Sequence, residues 1–260
     1  MKRLKAITEI RKKLISGKVS IGSWMQIPHG SVAEIMGHAG YDWVAVDLEH
    51  GSISTNQLPD LFRAIEAGGT LPLVRLSQAH PKDCKRSLDA GAGGVILPMV
   101  ESAEQLKATI EHCAWPPVGQ RGVGFSRANL FGKHFEGYKN EALAPIVVAQ
   151  IEHIRGVEEL EHILKVPGLD AILIGPYDLS ASMGLTGQFE APEYLDILFK
   201  IKKLSQKFNI PSGIHVVQPD LSELKAKISE GYQFIAYSID SVFLYSGAEC
   251  PKLEKNDLDS

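Results

Sequence analysis

Cysteine is scarce in this chain, and the three present, Cys84, Cys113 and Cys250, are odd in number and far apart, with no Cys-x-x-Cys spacing. That argues against a disulfide framework and a thiolate zinc site, and a reducing cytoplasm is the expected compartment. Apolar runs long enough to span a bilayer are missing. So is a basic stripe beyond the first turns. With 27 basic against 31 acidic side chains the formal net charge is −4, so nucleic acid is not an expected partner. The opening residues lack the uninterrupted apolar core of a secretory leader. Instead Leu4, Ile7, Ile10, Leu14 and Ile15 form one stripe of an amphipathic helix with basic residues opposite. Such a helix can lie on anionic membrane, but packing across one end of a barrel is the commoner fate. The expectation is a helix within 1–18 and no membrane partner.

What is present is a 260-residue chain, 44% hydrophobic, able to bury a sizeable core. One domain over 1–260 is expected, with a flexible polar tail at 253–260. Eight short apolar runs read as strands: Ile21–Trp24, Trp43–Val46, Leu71–Val74, Gly94–Leu97, Ile146–Ala149, Ala171–Ile174, Gly213–Val217 and Phe234–Tyr237. Between them Ser31–Ala39, Thr55–Ala67, Pro81–Ala90, Ala103–His112, Val157–Leu164, Pro192–Phe208 and Asp220–Ser229 carry apolar residues at helical spacing, several after a Ser, Thr, Asp or Pro start. Eight alternations in about 250 residues predict a (β/α)₈ TIM barrel, with an open doubly wound sheet as the alternative. Gly91-Ala-Gly-Gly94 stands between a helix and the next strand, the reverse of a dinucleotide-binding turn, and reads as a turn at the barrel's stability face. Nearly fifty residues separate the fourth strand from the fifth. Beyond Ala103–His112 that stretch reads as a long loop carrying Arg121 and Arg127 among glycines, suited to anionic groups or to a subunit boundary.

Two strand exits carry the chemistry. Ile146-Val-Val-Ala-Gln-Ile-Glu152 and Ala171-Ile-Leu-Ile-Gly-Pro-Tyr-Asp178 both run from a buried apolar stretch to a carboxylate. On neighbouring parallel strands Glu152 and Asp178 sit together at the carboxyl edge, where α/β folds place their ligands. Two hard oxygen donors with room for water and substrate suit Mg²⁺ or Mn²⁺ better than a closed zinc cage. The plainer alternative is that both acids cap the helices that follow.

Asp47-Leu-Glu49-His50-Gly51, Leu73-Val-Arg75, Leu97-Pro-Met99-Val-Glu101, Gln150-Ile-Glu152 and Gly175-Pro-Tyr-Asp178-Leu-Ser180, in this order, resemble the HpcH/HpaI family of metal-dependent pyruvate aldolases from roughly Gly22 to Ser246. The resemblance implies a barrel and a divalent cation, Mg²⁺, Mn²⁺ or Co²⁺, on Glu152 and Asp178. It implies a carbon–carbon lyase that reversibly splits a 4-hydroxy-2-oxoacid into pyruvate and an aldehyde. It also implies a homo-oligomer, plausibly a hexamer with the last helix exchanged between subunits, for which Ser238–Tyr245 is the candidate. On this reading Arg75 donates to the oxoacid and His50 is the base. The resemblance pairs that histidine with an aspartate of another subunit, here Asp89, with Asp47 as a nearby structural candidate. Gln150 organises the metal's surroundings with Glu49, the backbone N–H groups of Tyr177 and Asp178 face a carboxylate, and Trp24 forms pocket wall.

Each has a plainer reading beside it: Arg75 as a structural ion pair, His50 as a bonded loop histidine, Trp24 as core. The predicted strands contain no lysine, which argues against a Schiff base. His153 and the stretch after Gly122 depart from the family's usual wording, so the aldehyde's identity is the least transferable feature. His215 on the seventh strand is an alternative base. Two other functions compete: an acyl-CoA lyase of the malyl-CoA or citramalyl-CoA type, for which no basic groove is evident, and a noncatalytic oxoacid-binding barrel, which would have no use for a base.

Overall fold

The computed structural model describes residues 2–250. Eight parallel strands close into a barrel in sequence order: β1 (Ser20–Met25), β2 (Trp43–Asp47), β3 (Leu71–Arg75), β4 (Gly94–Leu97), β5 (Ile146–Ile151), β6 (Ala171–Ile174), β7 (Ser212–Val216) and β8 (Phe234–Ile239). β8 pairs back onto β1 through Ser20↔Phe234 and Ile21↔Ile235. All eight predicted runs are strands, and the doubly wound alternative is excluded by this closure.

Side chains alternate between two layers, as the pleat requires. Val44, Val46, Val95, Leu97, Val147, Ala149, Ile151, Ile172, Ile174, Ile214 and Val216 belong to the layer between sheet and helices. Trp43, Ala45, Leu71, Leu73, Ile96, Val148, Leu173, Phe234 and Ala236 fill the barrel's interior. Trp43 stacks flat on Phe234 at 4.4 Å. A Cβ on Gly22 would overlap the Trp43 ring, so glycine in β1 makes room for the indole of its register partner on β2. The helix Lys2–Ile15 closes the bottom by adding Ile7, Ile10 and Leu14 to this interior cluster. Ile15, expected on the same stripe, is instead exposed. Arg3 pins the helix to the wall, its Nε and Nη1 donating to Glu141 at 2.7 Å and Glu66 at 2.8 Å.

The helices differ from expectation in several places, among them Pro176–Ser182, a helix where a loop was expected. Val157–Leu164 is two short pieces, Ile154–Glu158 and Leu160–Ile163. The long connection contains an unforeseen helix, Phe135–Leu143, held by its own small cluster of Trp115, Ala128, Tyr138 and Ala142. Ser238 and Ile239 finish β8, so the last described helix is Asp240–Gly247. Gly91 caps the helix Pro81–Ala90 in the left-handed region, φ 107°, as a helix-to-strand turn there demands. No helix among the described residues is long and apolar enough to cross a membrane. The expected tail at 253–260 lies outside them.

Candidate functional site

Strand alternation puts Asp47, Arg75, Gln150, Glu152 and His215 on the interior side of β2, β3, β5 and β7, at their carboxyl ends. Asp47 and Arg75 are register partners. Their side chains form a buried two-pronged pair, Nε to Oδ1 at 2.8 Å and Nη2 to Oδ2 at 2.6 Å. The remaining prong, Nη1, lies 3.2 Å from Glu49, and the guanidinium carbon sits 4.5 Å from the centre of the Trp24 ring. Asp47 also accepts from the backbone N–H of Glu49 and His50 and from Gln26 Nε2. Burial works to raise the Asp47 pKa, but these donors, Arg75 foremost, hold it below the usual carboxylate value.

Glu152, 1% exposed, is fixed at both oxygens. Oε1 accepts from Met99 N at 2.6 Å and Oε2 from Gln150 Nε2. To donate there, Met99 takes a positive φ of 49°. A Cβ on Gly175 would lie 2.6 Å from Glu152 Oε2, so the glycine of Gly175-Pro-Tyr-Asp178 clears the space this carboxylate occupies. Burial, reinforced by Glu49 and Asp178, raises Glu152 to about 7 against the opposing backbone bond and Arg75. Glu49 is likewise raised to about 7, by burial first, with Arg75 opposing and Asp47 and Asp178 adding to the rise.

A cavity of about 260 Å³ opens over this cluster, lined by Trp24, His50, Arg75, Gln150, Asp178 and His215 among others. Asp178 stands in the first turn of the helix Pro176–Ser182, one turn past the strand end where it was expected, and is exposed at the rim. Tyr177 is also exposed there and meets Phe189 edge-on. The donor set fits a hard divalent cation. Asp178 raises the proton affinity of Glu49 and Glu152, and Glu49 that of Glu152, and the buried Gln150 Oε1 has no hydrogen-bond partner. Glu152 and Asp178 are the residues able to hold it, with Gln150 beside them.

His50 faces the cavity with an exposed ring, its Nε2 4.0 Å from Glu49. Asp47 bonds the His50 backbone and not its imidazole, so the suggestion of Asp47 as the ring's partner is corrected: its oxygens serve Arg75. Asp89 lines a different groove with Arg63, Lys82, Lys85 and Arg86 and lies 3.6 Å from Arg121; it does not line the cavity of its own chain. The loop arginines are committed internally. Arg121 is buried against Trp115 and donates to Tyr138, and Arg127 pairs with Glu66 and the Ala90 carbonyl. His153 caps a helix by accepting from Arg155 N, which explains it without chemistry. Gln26 was not foreseen, since nothing in its sequence neighbourhood marks it.

A cavity lined by Asp178, one anchored arginine and one exposed histidine, at the carboxyl edge of a (β/α)₈ barrel, suits a small anionic substrate. The profile of the HpcH/HpaI aldolase/citrate lyase family matches residues 20–246, and the chain belongs to that family. It is 34% identical over 242 residues to a hydroxypyruvate/pyruvate aldolase of Roseobacter denitrificans, covering 92% of this chain and 93% of that one. Identity is 35% over 248 residues to a 4-hydroxy-2-oxovalerate aldolase of Novosphingobium aromaticivorans, covering 93% and 92%. Among solved structures, an HpcH/HpaI aldolase/citrate lyase family protein of Burkholderia cenocepacia superposes with a TM-score of 0.86 at 31% identity, covering 92% and 95%.

The Asp47–Arg75 pair generates a stability prediction. Asp47→Ala leaves a buried guanidinium without its carboxylate, which costs about 3–5 kcal/mol and frees the 47–50 turn. Urea unfolding at neutral pH reads the loss; a change below about 1 kcal/mol would show the pair to be dispensable.

Proposed function

We propose that this chain is a carbon–carbon lyase that reversibly cleaves a 4-hydroxy-2-oxoacid to pyruvate and an aldehyde, using Mg²⁺, Mn²⁺ or Co²⁺ held by Glu152 and Asp178. The observation that carries this is a cavity lined by Asp178, the anchored Arg75 and His50, with Glu152 bonded to Gln150 of its lining, in a member of this family. The aldolase names of relatives at 34% and 35% identity support it. When bound, the cation supplies Lewis acidity to the oxoacid's oxygens. Arg75 has two prongs on Asp47, Trp24 beneath it and Nη1 3.2 Å from Glu49, so the edge that carries Nη1 is held where charge develops on the C2 oxygen. The N-terminal backbone of Pro176–Ser182 faces the carboxylate. His50 takes the proton from C3 at Nε2, and Glu49, 4.0 Å away, steadies the imidazolium. The acyl-CoA alternative is less well supported, because Arg75 is the one arginine or lysine lining the cavity.

Chelator treatment is expected to abolish pyruvate release from 4-hydroxy-2-oxoacids, with Mg²⁺, Mn²⁺ or Co²⁺ restoring it. Glu152→Gln and Asp178→Asn weaken metal binding by calorimetry while the fold persists. A borohydride-trapped pyruvate adduct on a lysine would overturn the scheme.

Enolate formation is isolated by following exchange of pyruvate's methyl protons in D₂O by NMR without aldehyde. His50→Ala slows it by roughly 10²–10⁴-fold while metal and pyruvate still bind. Arg75→Ala lowers binding and exchange together, by about 10²–10³ in rate, and Arg75→Lys does not restore it fully because an ammonium lacks the fork. Unchanged exchange in His50→Ala would assign the base elsewhere.

We further infer a homo-oligomer, plausibly hexameric, in which the last helix is exchanged and Asp89 reaches His50 of another copy. Exposed Leu244 and Tyr245 on that helix, at 61% and 70%, support a partner surface. Asp89→Asn is expected to slow exchange without changing assembly by light scattering. A fully active monomer would refute both points.

A further inference from the structure

A second cavity, of about 330 Å³, stands beside the catalytic one and shares Pro176, Tyr177, His215 and Val217 with it. It lies on the same face of the barrel, since its helical lining comes from the first two turns of Pro192–Phe208 and Leu221–Ser229, the helices that follow β6 and β7. Strand parity builds its floor. Ile214 turns outward from β7, opposite to His215, into the layer between sheet and helices, where Tyr194, 1% exposed, and Leu198 also pack. Phe189 closes the side, its ring centre 5.7 Å from that of Tyr194 and 5.0 Å from that of the exposed Tyr177. A row of three aromatic rings thus leads from the catalytic rim to the floor of the chamber.

Charge decides what this chamber can take. Glu190, Glu223 and Lys227 are the charged residues of its lining, and the Lys227 ammonium already donates to Glu230 at 3.1 Å. A carboxylate or phosphate entering it would meet two acids and an engaged cation. An apolar group meets no such opposition. An apolar cavity of about 150 Å³ admits a benzene ring, so a chamber of about 330 Å³ has room for one. In the catalytic cavity Arg75 and Gln150 are buried, whereas His50, Tyr177 and Asp178 stand exposed at the rim. An oxoacid held by Arg75 therefore lies deep with C3 toward the rim, and the aldehyde carbon that joins C3 carries its substituent past Tyr177.

Resting on the aldolase reading, we propose that this chamber receives the substituent of the aldehyde and that Phe189, Tyr194 and Leu198 select an apolar one. The substrate is then a 4-hydroxy-2-oxoacid whose C4 carries an aromatic ring or branched hydrocarbon chain in place of an acidic one.

The test uses Mg²⁺-loaded full-length protein and pyruvate, with phenylacetaldehyde, acetaldehyde and 4-oxobutanoate as acceptors. Product formation gives kcat/KM for each acceptor, and exchange of pyruvate's methyl protons in D₂O without aldehyde is followed by NMR as the separate readout of enolate formation. Wild type is expected to prefer phenylacetaldehyde over both other acceptors by about 10–100-fold, the span that a few buried carbons supply. Leu198→Asn, which makes the floor polar, and Leu198→Trp, which fills it, are both expected to lower the phenylacetaldehyde-to-acetaldehyde ratio by about 10-fold or more. Two variants of opposite chemistry keep the test open if one of them fails to fold. Wild type that exchanges pyruvate but shows no preference, or favours 4-oxobutanoate, overturns the proposal. So does a ratio that neither folded variant moves, which would mark the chamber as packing or as the seat of another copy's helix. Wild type that neither exchanges pyruvate nor forms product with any acceptor would instead sink the aldolase reading.

Discussion

The bidentate contact between Asp47 and Arg75 sets most of what the site can do. Because the two are register partners on adjacent strands, the barrel itself fixes their spacing, and the guanidinium is held by parallel bonds of 2.8 and 2.6 Å. Asp47 spends the rest of its acceptor capacity on the backbone of Glu49 and His50 and on Gln26. One carboxylate thus orients the arginine and the turn that presents the histidine. Trp24 covers the guanidinium's face, and the remaining edge, Nη1, points toward Glu49. A buried pair of this kind is weak evidence for net stability; its value here is that the donor is already ordered before any ligand arrives.

The strands were legible in sequence because each is a short apolar β-branched run, and the exits because polar residues stop those runs abruptly. Glu152, Arg75 and Asp47 could be located this way since their positions follow from strand parity. Asp178 was read in a loop and stands instead in the first turn of the helix Pro176–Ser182, because Pro176 at a helix start and a loop proline read alike. The helix Phe135–Leu143 escaped notice for a physical reason: Gly137 interrupts it, its apolar spacing is weak, and tertiary packing on Trp115 holds it. Arg121 and Arg127 looked like anion receptors because sequence does not reveal that Tyr138 and Glu66 already engage them. Gln26 and the strained backbone of Met99 depend on contacts between the ends of neighbouring strands, which no local pattern encodes.

Glycine carries part of the site's precision. Gly22 leaves room for Trp43, and Gly175 leaves room for Glu152. The first keeps the interior filled beneath the site, and the second lets a buried carboxylate approach the turn that carries Asp178. Packing and ligand geometry are therefore coupled through atoms that are missing by design of the residue type.

The balance of charge also bears on which chemistry the cavity supports. Asp47, Glu49 and Glu152 act on one guanidinium, Asp178 acts on Glu49 and Glu152, and His215, lowered to about 4, adds no positive charge at neutral pH. Fully ionised, the cluster would carry an excess of three negative charges in a largely buried setting, and Glu49 and Glu152 respond by rising to about 7. A nucleophilic lysine needs the opposite surroundings. Apolar burial or neighbouring cations lower its pKa and free its lone pair, whereas these carboxylates would hold an ammonium in its charged, unreactive form. The same acids that would disable a lysine would compensate a divalent cation.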